Sequence, residues 1–149
     1  MNTIVLSNRK GGAGKTTAAV NLTAEFAVPE KNFLIDMDSQ GHCAVVLDIR
    51  NIQPSGTIHR AVFLKEGGNL EKIILETGIE NLSLIPADWS FNHGKVNNSP
   101  YQLKEALSDN YDIIIIDTPP SFDALLINSL VAADKIIIPF VPISSRMKG

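Results

Sequence analysis

The sequence predicts an α/β fold in which a mainly parallel sheet of about five strands lies between two layers of helices. Short apolar runs alternate with helical stretches, which is the order that builds parallel sheets through right-handed crossovers. The run Ile113–Ile116 does not alternate with polar residues, so it must be buried on both faces as a central strand. The runs with the length of buried strands are Thr3–Leu6, Phe33–Ile35, Leu82–Ile85, Ile113–Ile116 and Lys135–Pro139.

Helical stretches are predicted between these runs. The first covers Lys15–Ala27 and has apolar residues on one face. Another begins near Ser99, which suits an N-cap, with Pro100 at the first helical position and Gln102 closing a capping box. The other helices are predicted at Thr57–Leu64, Leu70–Glu76 and about Ser121–Ala133.

Composition limits the class of protein. The 149 residues suit one domain, and 44% hydrophobic with 19% charged residues is ordinary for a globular protein. The net charge of −3 gives no bulk basic character, so contact with DNA requires a local patch or further sequence. Cys43 is the only cysteine, which excludes an internal disulfide and favours a packing role in a reducing compartment. No apolar segment reaches the length of a membrane span, so we expect a cytoplasmic protein.

A glycine-rich segment separates the first strand from the first helix, at Arg9–Thr17. Glycines allow the backbone to turn tightly and aim its N–H groups at phosphate oxygens, and the helix N-terminus adds partial positive charge. The alternative is a glycine-rich turn with a chance Gly-Lys-Thr, but strand, loop and helix fall in the order that phosphate binding requires. The residues expected to line the phosphates with backbone are Gly11, Gly12, Ala13 and Gly14.

Three side chains at the end of this loop complete the predicted nucleotide site. Lys15 is expected to reach the β- and γ-phosphates, and the Thr16 hydroxyl is expected to ligate Mg²⁺. Thr17 is placed to contact the α-phosphate. The segment therefore indicates a P-loop that binds ATP with Mg²⁺.

Aspartates follow two of the predicted strands. Asp36 and Asp38 come after the second strand, and Asp117 follows the all-isoleucine strand. Ligands bind at the carboxyl edge of parallel sheets, so these acids should meet the phosphate loop on one rim, where Mg²⁺ needs oxygen ligands. Strand alternation would send Asp36 and Asp38 to the same side if the strand continued that far. The alternative, that each aspartate only caps the next helix, is weakened by the neighbouring phosphate loop.

The loop departs from the usual G-x-x-x-x-G-K-[ST] spacing, because Arg9 occupies the place of the first glycine. The run Lys10–Thr16 resembles the deviant Walker A motif of the ParA/MinD group of P-loop ATPases. The stretch Asp36–Gly41 is similar to the D-x-D-P-Q-G pattern of ParA (Soj-like) partition proteins, with Ser39 in place of the proline. The resemblance implies the three-layer fold of P-loop NTPases.

The resemblance also implies roles for individual residues. Lys10 would reach the phosphates of the partner subunit's nucleotide in a sandwich dimer; a solvated loop lysine is the alternative. Asp38 would position or activate the attacking water, and Asp117 would serve Mg²⁺ as the Walker B acid. Asp36 would contact the Mg²⁺ shell or brace the phosphate loop. Thr118–Pro120 would form a switch that senses the γ-phosphate, with a static turn as the alternative.

The function implied by this resemblance is an ATP-hydrolysing switch in plasmid or chromosome partitioning, with slow, partner-stimulated turnover. ATP binding would form a homodimer, and a ParB-like adaptor would stimulate it. The expected location is the cytoplasm, with nucleoid association as an extension and no membrane contact. The chain is expected to be a single ATPase domain, 1–149, lacking the C-terminal portion through which family members contact adenine and non-specific DNA. Lys135–Pro139 would then be an exposed edge strand.

Two other functions stay open. A shortened chain could be a non-hydrolysing nucleotide-binding module that pairs with a homologue, or a MinD-like positioning ATPase of cell division. Among the remaining residues, Trp89 and Phe91 are expected to pack in the core. His42, His59 and His93 show no metal-ligand spacing and are expected to be surface or packing residues.

Overall fold

Strands and helices alternate along the chain in the computed structural model, which describes residues 2–27, 32–65, 69–92, 94, 99–107 and 111–142. The strands are β1 (Asn2–Leu6), β2 (Asn32–Asp36), β3 (Leu75–Glu76), β4 (Leu82–Ile85), β5 (Ile113–Asp117) and β6 (Lys135–Ile137). The helices are α1 (Lys15–Phe26), α2 (His42–Val46), α3 (Gln102–Ala106) and α4 (Ala124–Ala132). Shorter turns are the 3₁₀ segments Pro54–Gly56 and Leu70–Ile73 and the π-helical segment Arg60–Leu64.

The sheet has the strand order β3-β4-β2-β5-β1-β6, and every pair except β3 with β4 is parallel. The register pairs Leu6 of β1 with Asp117 of β5, and Asp36 of β2 also pairs with Asp117. The carboxyl ends of the three central strands therefore meet at one edge. His93 lies outside the described residues.

Apolar side chains cover both faces of the sheet, which gives the predicted three layers. On one face, Ile114 and Ile116 pack with Leu103 of α3 and Leu125 of α4. On the other face, Ile115 packs with residues of α1 and α2. The predicted burial of the isoleucine run on both faces is confirmed. None of the helices in the described ranges is long and apolar enough to cross a membrane.

The sheet has six strands where the sequence predicted about five. The additional strand is Leu75–Glu76, which pairs antiparallel with β4. The predicted helix at Leu70–Glu76 was wrong, because only Leu70–Ile73 forms a helical turn and the chain then extends. Two residues are too few to show a periodicity, so this strand becomes recognisable only from its pairing with a neighbour.

Several helix ends also differ from prediction. The helix expected near Ser99 begins at Gln102, after the N-cap residue Tyr101. The Gln102 Oε1 atom bonds to no group in the described ranges, so the predicted capping box was wrong. The last helix begins at Ala124, where the Asp123 carboxylate caps it by accepting the N–H groups of Leu125 and Leu126. Helix α2 was missed, because its five residues are too short to show an amphipathic repeat.

Two aromatic residues behave differently after β4. Phe91 is buried in the core as predicted, but Trp89 is 81% exposed, so its predicted core packing was wrong. At the other end of the sheet, β6 pairs only with β1 in the described residues, and Ile136 is 52% exposed. The prediction of an isoleucine-rich edge strand is confirmed.

Ile115→Ala tests the central position of β5. Its side chain is fully buried, so its loss should lower the free energy of unfolding by about 2–5 kcal/mol in urea denaturation. Ile138→Ala is the matched control, because Ile138 is 63% exposed and should change stability by less than about 0.5 kcal/mol. Equal losses for the two variants would contradict the described core.

Candidate functional site

The phosphate loop connects β1 to α1 and ends at Gly14, the N-cap of the helix. No side chain caps this helix within the described part of the chain, and its first turn contains no acidic residue. The first helical bond is the one from the Ala18 N–H to the Gly14 carbonyl, at 2.9 Å. The earlier N–H groups of the turn therefore point beyond the helix end, where an anion can accept them.

Two glycines give this loop its shape. Gly12 and Gly14 have φ values of 72° and 84°, in the left-handed region that other residues adopt only with strain. A Cβ atom added at Gly11, Gly12 or Gly14 would meet nothing within 4 Å, so the space beside the loop is open. The glycine requirement is thus conformational, and the open side has room for a phosphate.

A cleft of about 410 Å³ lies over this loop and brings the predicted phosphate-binding residues together. Lys15 is 8% exposed, and Lys10 is exposed outside the cleft lining. The Lys10 N–H donates to the Asn8 side chain at 2.8 Å, which fixes the backbone where the loop begins. The lining residues are Gly11, Gly12, Ala13, Gly14, Lys15, Thr16, Thr17, Asp38, Gln40, His42 and Pro120.

Asp36 and Asp117 lie below the cleft, side by side on neighbouring strands. Both are buried, with 0% and 1% of their surface exposed. The Asp36 carboxylate accepts the backbone N–H groups of Asp38 and Cys43, each at 3.1 Å. The Asp117 Oδ2 atom accepts the hydroxyl of Thr16 at 2.5 Å. The strand ends therefore place both acids beneath the phosphate loop.

Burial changes the pKa values of Asp36 and Asp117. Burial raises the pKa of Asp36 well above its ordinary value, and the nearby Asp117 charge raises it further. Burial also raises the pKa of Asp117, although the Thr16 hydroxyl bond acts in the opposite direction. The Asp117 Oδ1 atom is buried with no hydrogen-bond partner in the described ranges. A cation would offset both the charge repulsion and this missing contact, so the residues fit Mg²⁺.

Cys43 contacts the same acids. Candidate ligand atoms of Asp36, Cys43 and Asp117 all lie within 4.8 Å of one another, and the thiol donates to Asp117 Oδ2 at 3.5 Å. Burial raises the pKa of the Cys43 thiol well above its ordinary value, and the two carboxylates raise it further. The thiol acts here as a hydrogen-bond donor to Asp117. The donors left for a metal are oxygens, which Mg²⁺ prefers to sulfur.

Asp38 lies in a turn at the side of the cleft. Its Oδ1 atom accepts the Gln40 N–H at 3.0 Å, and its carbonyl accepts the Gly41 N–H at 2.9 Å. Strand β2 ends at Asp36, so strand alternation does not place Asp38. This turn leaves Asp38 lining the cleft while Asp36 stays buried below it.

Two side chains anchor the loops around the site. The Thr118 hydroxyl donates to the Leu6 carbonyl at 2.6 Å, which ties the segment after β5 to the start of the phosphate loop. The Asn8 side-chain amide donates to the Pro139 carbonyl at 2.6 Å, which ties the same loop to the segment after β6. The site is thus held by three neighbouring strands.

Sequence reasoning missed several residues of this site. Cys43 was treated only as a packing residue, and His42 was expected at the surface or in packing, although it lines the cleft. Gln40 also lines the cleft, as does Pro120 from the predicted switch turn. Gln40, His42 and Cys43 flank Gly41, so the signal available was their closeness to the aspartate motif.

Comparison with known proteins places this site in a family. The family model described as an AAA domain matches residues 1–149. The chain belongs to this family. The chromosome partitioning protein ParA of Myxococcus xanthus is 38% identical to this chain over 145 residues. The match covers 91% of this chain and 50% of that protein. The chain spans about half the length of the curated relatives it matches.

Two solved structures resemble the structure of this chain closely. A putative plasmid partition protein of Borrelia burgdorferi bound to AMPPNP has a TM-score of 0.81 at 32% identity, over 93% of this chain and 62% of that one. Cobyrinic acid a,c-diamide synthase of Mycobacterium smegmatis, with bound ADP and magnesium, has a TM-score of 0.82 at 27% identity, over 93% and 59%. The predicted P-loop fold and the resemblance to ParA partition proteins are confirmed.

Asp117→Asn tests the repulsion between the buried acids. Because folding raises the carboxylate pKa values, the nucleotide-free protein loses stability as pH rises above the ordinary aspartate range. The variant keeps an acceptor for Thr16 and removes one charge, so its free energy of unfolding should exceed the wild-type value by on the order of 1 kcal/mol near pH 7. This advantage should shrink toward about pH 4.

Urea unfolding in the presence of a chelator measures this difference. Asp112→Asn is the control, because Asp112 is an exposed aspartate beside the same strand. A variant at position 117 that is less stable than the wild type near pH 7 would show that the repulsion is not the dominant effect.

Proposed function

We propose that this protein is a ParA-type switch that binds and hydrolyses ATP in plasmid or chromosome partitioning. The observation that carries the proposal is the uncapped glycine loop lying over the buried Asp36 and Asp117 pair, with Asp38 beside it. Phosphate and water would bind in the cleft, and the metal would bind at the two acids beneath it. The likeness to partition proteins gives the biological setting.

The loop would bind the triphosphate. Backbone N–H groups surround its oxygens, and the first turn of α1 adds its partial positive charge. The nearly buried Lys15 ammonium would pair with the β- and γ-phosphates, and Thr17 would contact the α-phosphate. The residues that contribute backbone are Gly11, Gly12, Ala13 and Gly14.

Thr16, Asp36 and Asp117 would hold Mg²⁺. The Thr16 hydroxyl and the Asp117 carboxylate are already in contact at 2.5 Å, and the Asp117 Oδ1 atom lacks a partner in the described ranges. When bound, Mg²⁺ neutralises negative charge on the phosphates. Asp36 braces the site through its bonds to the Asp38 and Cys43 N–H groups.

Asp38 would orient the attacking water. The water oxygen bonds to the γ-phosphorus, the bond to the β–γ bridging oxygen breaks, and ADP and inorganic phosphate leave. Lys15 stabilises the negative charge that develops, and Lys10 of a second copy does so from across a dimer. The exposure of Lys10 outside its own cleft is consistent with action on the partner subunit's nucleotide.

The partners belong to the same proposal. ATP binding would form a homodimer, and a ParB-like adaptor would stimulate the slow turnover. Contact with non-specific DNA would require a local basic patch or further sequence, because the net charge of −3 gives no bulk basic character. The site of action would be the cytoplasm, on or near the nucleoid.

Lys15→Ala tests nucleotide binding. Removal of this cation should weaken Mg²⁺-dependent ATP binding by about tenfold or more in calorimetry, because the phosphates lose a charge-assisted contact. Lys104→Ala is the matched control, since Lys104 is exposed on α3 and should leave the affinity unchanged. Equal affinities for both variants and the wild type would contradict the proposed site.

Mixing two inactive variants tests hydrolysis and the role of Lys10 across a dimer. Lys10→Ala and Asp38→Asn should each bind Mg²⁺–ATP but release little phosphate, because each lacks one group that acts in the transition state. An equal mixture should regain about a quarter of the wild-type rate, since half of the dimers are mixed and each carries one complete site. Phosphate release is the measurement. A mixture as inactive as its two components would exclude action of Lys10 across the dimer. If the wild-type protein binds ATP tightly but releases no phosphate, the protein is a nucleotide-binding module and not an ATPase.

A further inference from the structure

A buried histidine joins three segments close to the carboxylate site. His59 is 0% exposed, and its ring stacks on Phe91 with centroids 4.9 Å apart. The Nε2 atom lies 3.1 Å from the Met37 carbonyl oxygen, and the Nδ1 atom accepts the Asp88 N–H at 2.9 Å. Because Nδ1 is an acceptor, it carries no proton. The ring is therefore neutral, and Nε2–H donates to the Met37 carbonyl.

The Met37 carbonyl belongs to the peptide unit that leads into Asp38. This unit is planar, and it is held at both ends. Its carbonyl accepts from His59, and its N–H, which is the Asp38 N–H, donates to Asp36 Oδ1 at 3.1 Å. One residue earlier, the Met37 N–H donates to the Asp117 carbonyl at 2.9 Å. The direction in which the chain enters Asp38 is thus set by bonds from three different segments.

The histidine is itself held firmly. The Asp88 residue that donates to it is 1% exposed, and its carboxylate accepts Arg60 Nε at 2.7 Å. The same carboxylate accepts the N–H and the hydroxyl of Ser90, at 2.9 and 2.7 Å. The segment before the histidine is also tied down, because the Ile58 N–H donates to the Pro86 carbonyl at 2.9 Å. The imidazole therefore links the loop after β4 to the turn after β2 through its two hydrogen bonds, and so fixes their relative positions.

We propose that His59 is a positioning residue for ATP hydrolysis, holding the Met37–Asp38 peptide so that the Asp38 carboxylate faces the attacking water. This inference rests on the proposed function. His59 is not among the residues that line the cleft, so its effect passes through Asp38 and not through contact with the nucleotide. Small displacements of a group that orients a reactant change rates strongly while leaving binding intact.

Two amide substitutions separate the two bonds of the ring. In His59→Gln the side-chain amide reaches the place of Nε2 and keeps a donor for Met37. In His59→Asn the amide reaches only the place of Nδ1, so it keeps an acceptor for Asp88 and loses the bond to Met37. Arg60→Gln is the control, because it removes the ion pair to Asp88 while the two Ser90 bonds still hold that carboxylate and the Met37 carbonyl is untouched.

Turnover and ATP affinity are measured for all three variants. His59→Asn should lower the rate of phosphate release by about tenfold or more, with Mg²⁺–ATP affinity within about threefold of the wild type. His59→Gln and Arg60→Gln should keep turnover within about threefold. Melting temperatures are recorded beside the rates. Rates that follow the melting temperature alone, or an asparagine variant with wild-type turnover, would overturn the proposal.

A spectroscopic measurement separates this proposal from the proposed ATPase activity. In ¹H–¹⁵N spectra of the nucleotide-free protein, the Asp38 amide resonance should move in His59→Asn and stay close to its wild-type position in His59→Gln and Arg60→Gln. In the wild type, the His59 ring should show the Nε2-protonated neutral tautomer. A ring protonated on Nδ1 would overturn the inference even if every variant failed to fold. A protein without turnover would refute the ATPase proposal, and these spectra would still test the placement of Asp38.

Discussion

The site depends on the pairing of β2 with β5, which places Asp36 beside Asp117 at the end of the sheet. Two buried carboxylates with oxygen atoms within 4.8 Å of one another are unfavourable without a cation, and burial raises the pKa of both. The same pairing puts Asp117 within reach of Thr16 at the start of α1. One register therefore fixes the relation between the two buried acids and the glycine-rich loop.

The buried core of the sheet compensates for unfavourable features at the site. The two buried acids repel one another, and the N-terminus of α1 is uncapped. These are local losses of stability at the place where a phosphate and its metal would reverse them. Ile114, Ile115 and Ile116 lie just before Asp117 and are fully buried, so a well-packed strand supports the end that carries the buried acid.

Hydrogen bonds between side chains and the backbone hold the segments around the cleft, and this explains how loops can act as a rigid site. Asn8 joins the phosphate loop to the segment after β6, and Thr118 joins it to the segment after β5. His59 joins the turn after β2 to the loop after β4. A site whose groups are fixed before the ligand arrives needs little rearrangement when charge develops, which favours both binding and reaction.

The sequence by itself determined the features that lie close together along the chain. The order of β1, the glycine loop and α1 was readable because all three are contiguous, and the isoleucine run identified a strand buried on both faces. The tertiary structure alone decided the choice of strand neighbours, the antiparallel strand Leu75–Glu76 and the contacts of Cys43 and His59. Each of these features depends on contacts between residues that are distant in sequence. The packing of the whole sheet brings those residues together, so no local sequence pattern predicts the contacts.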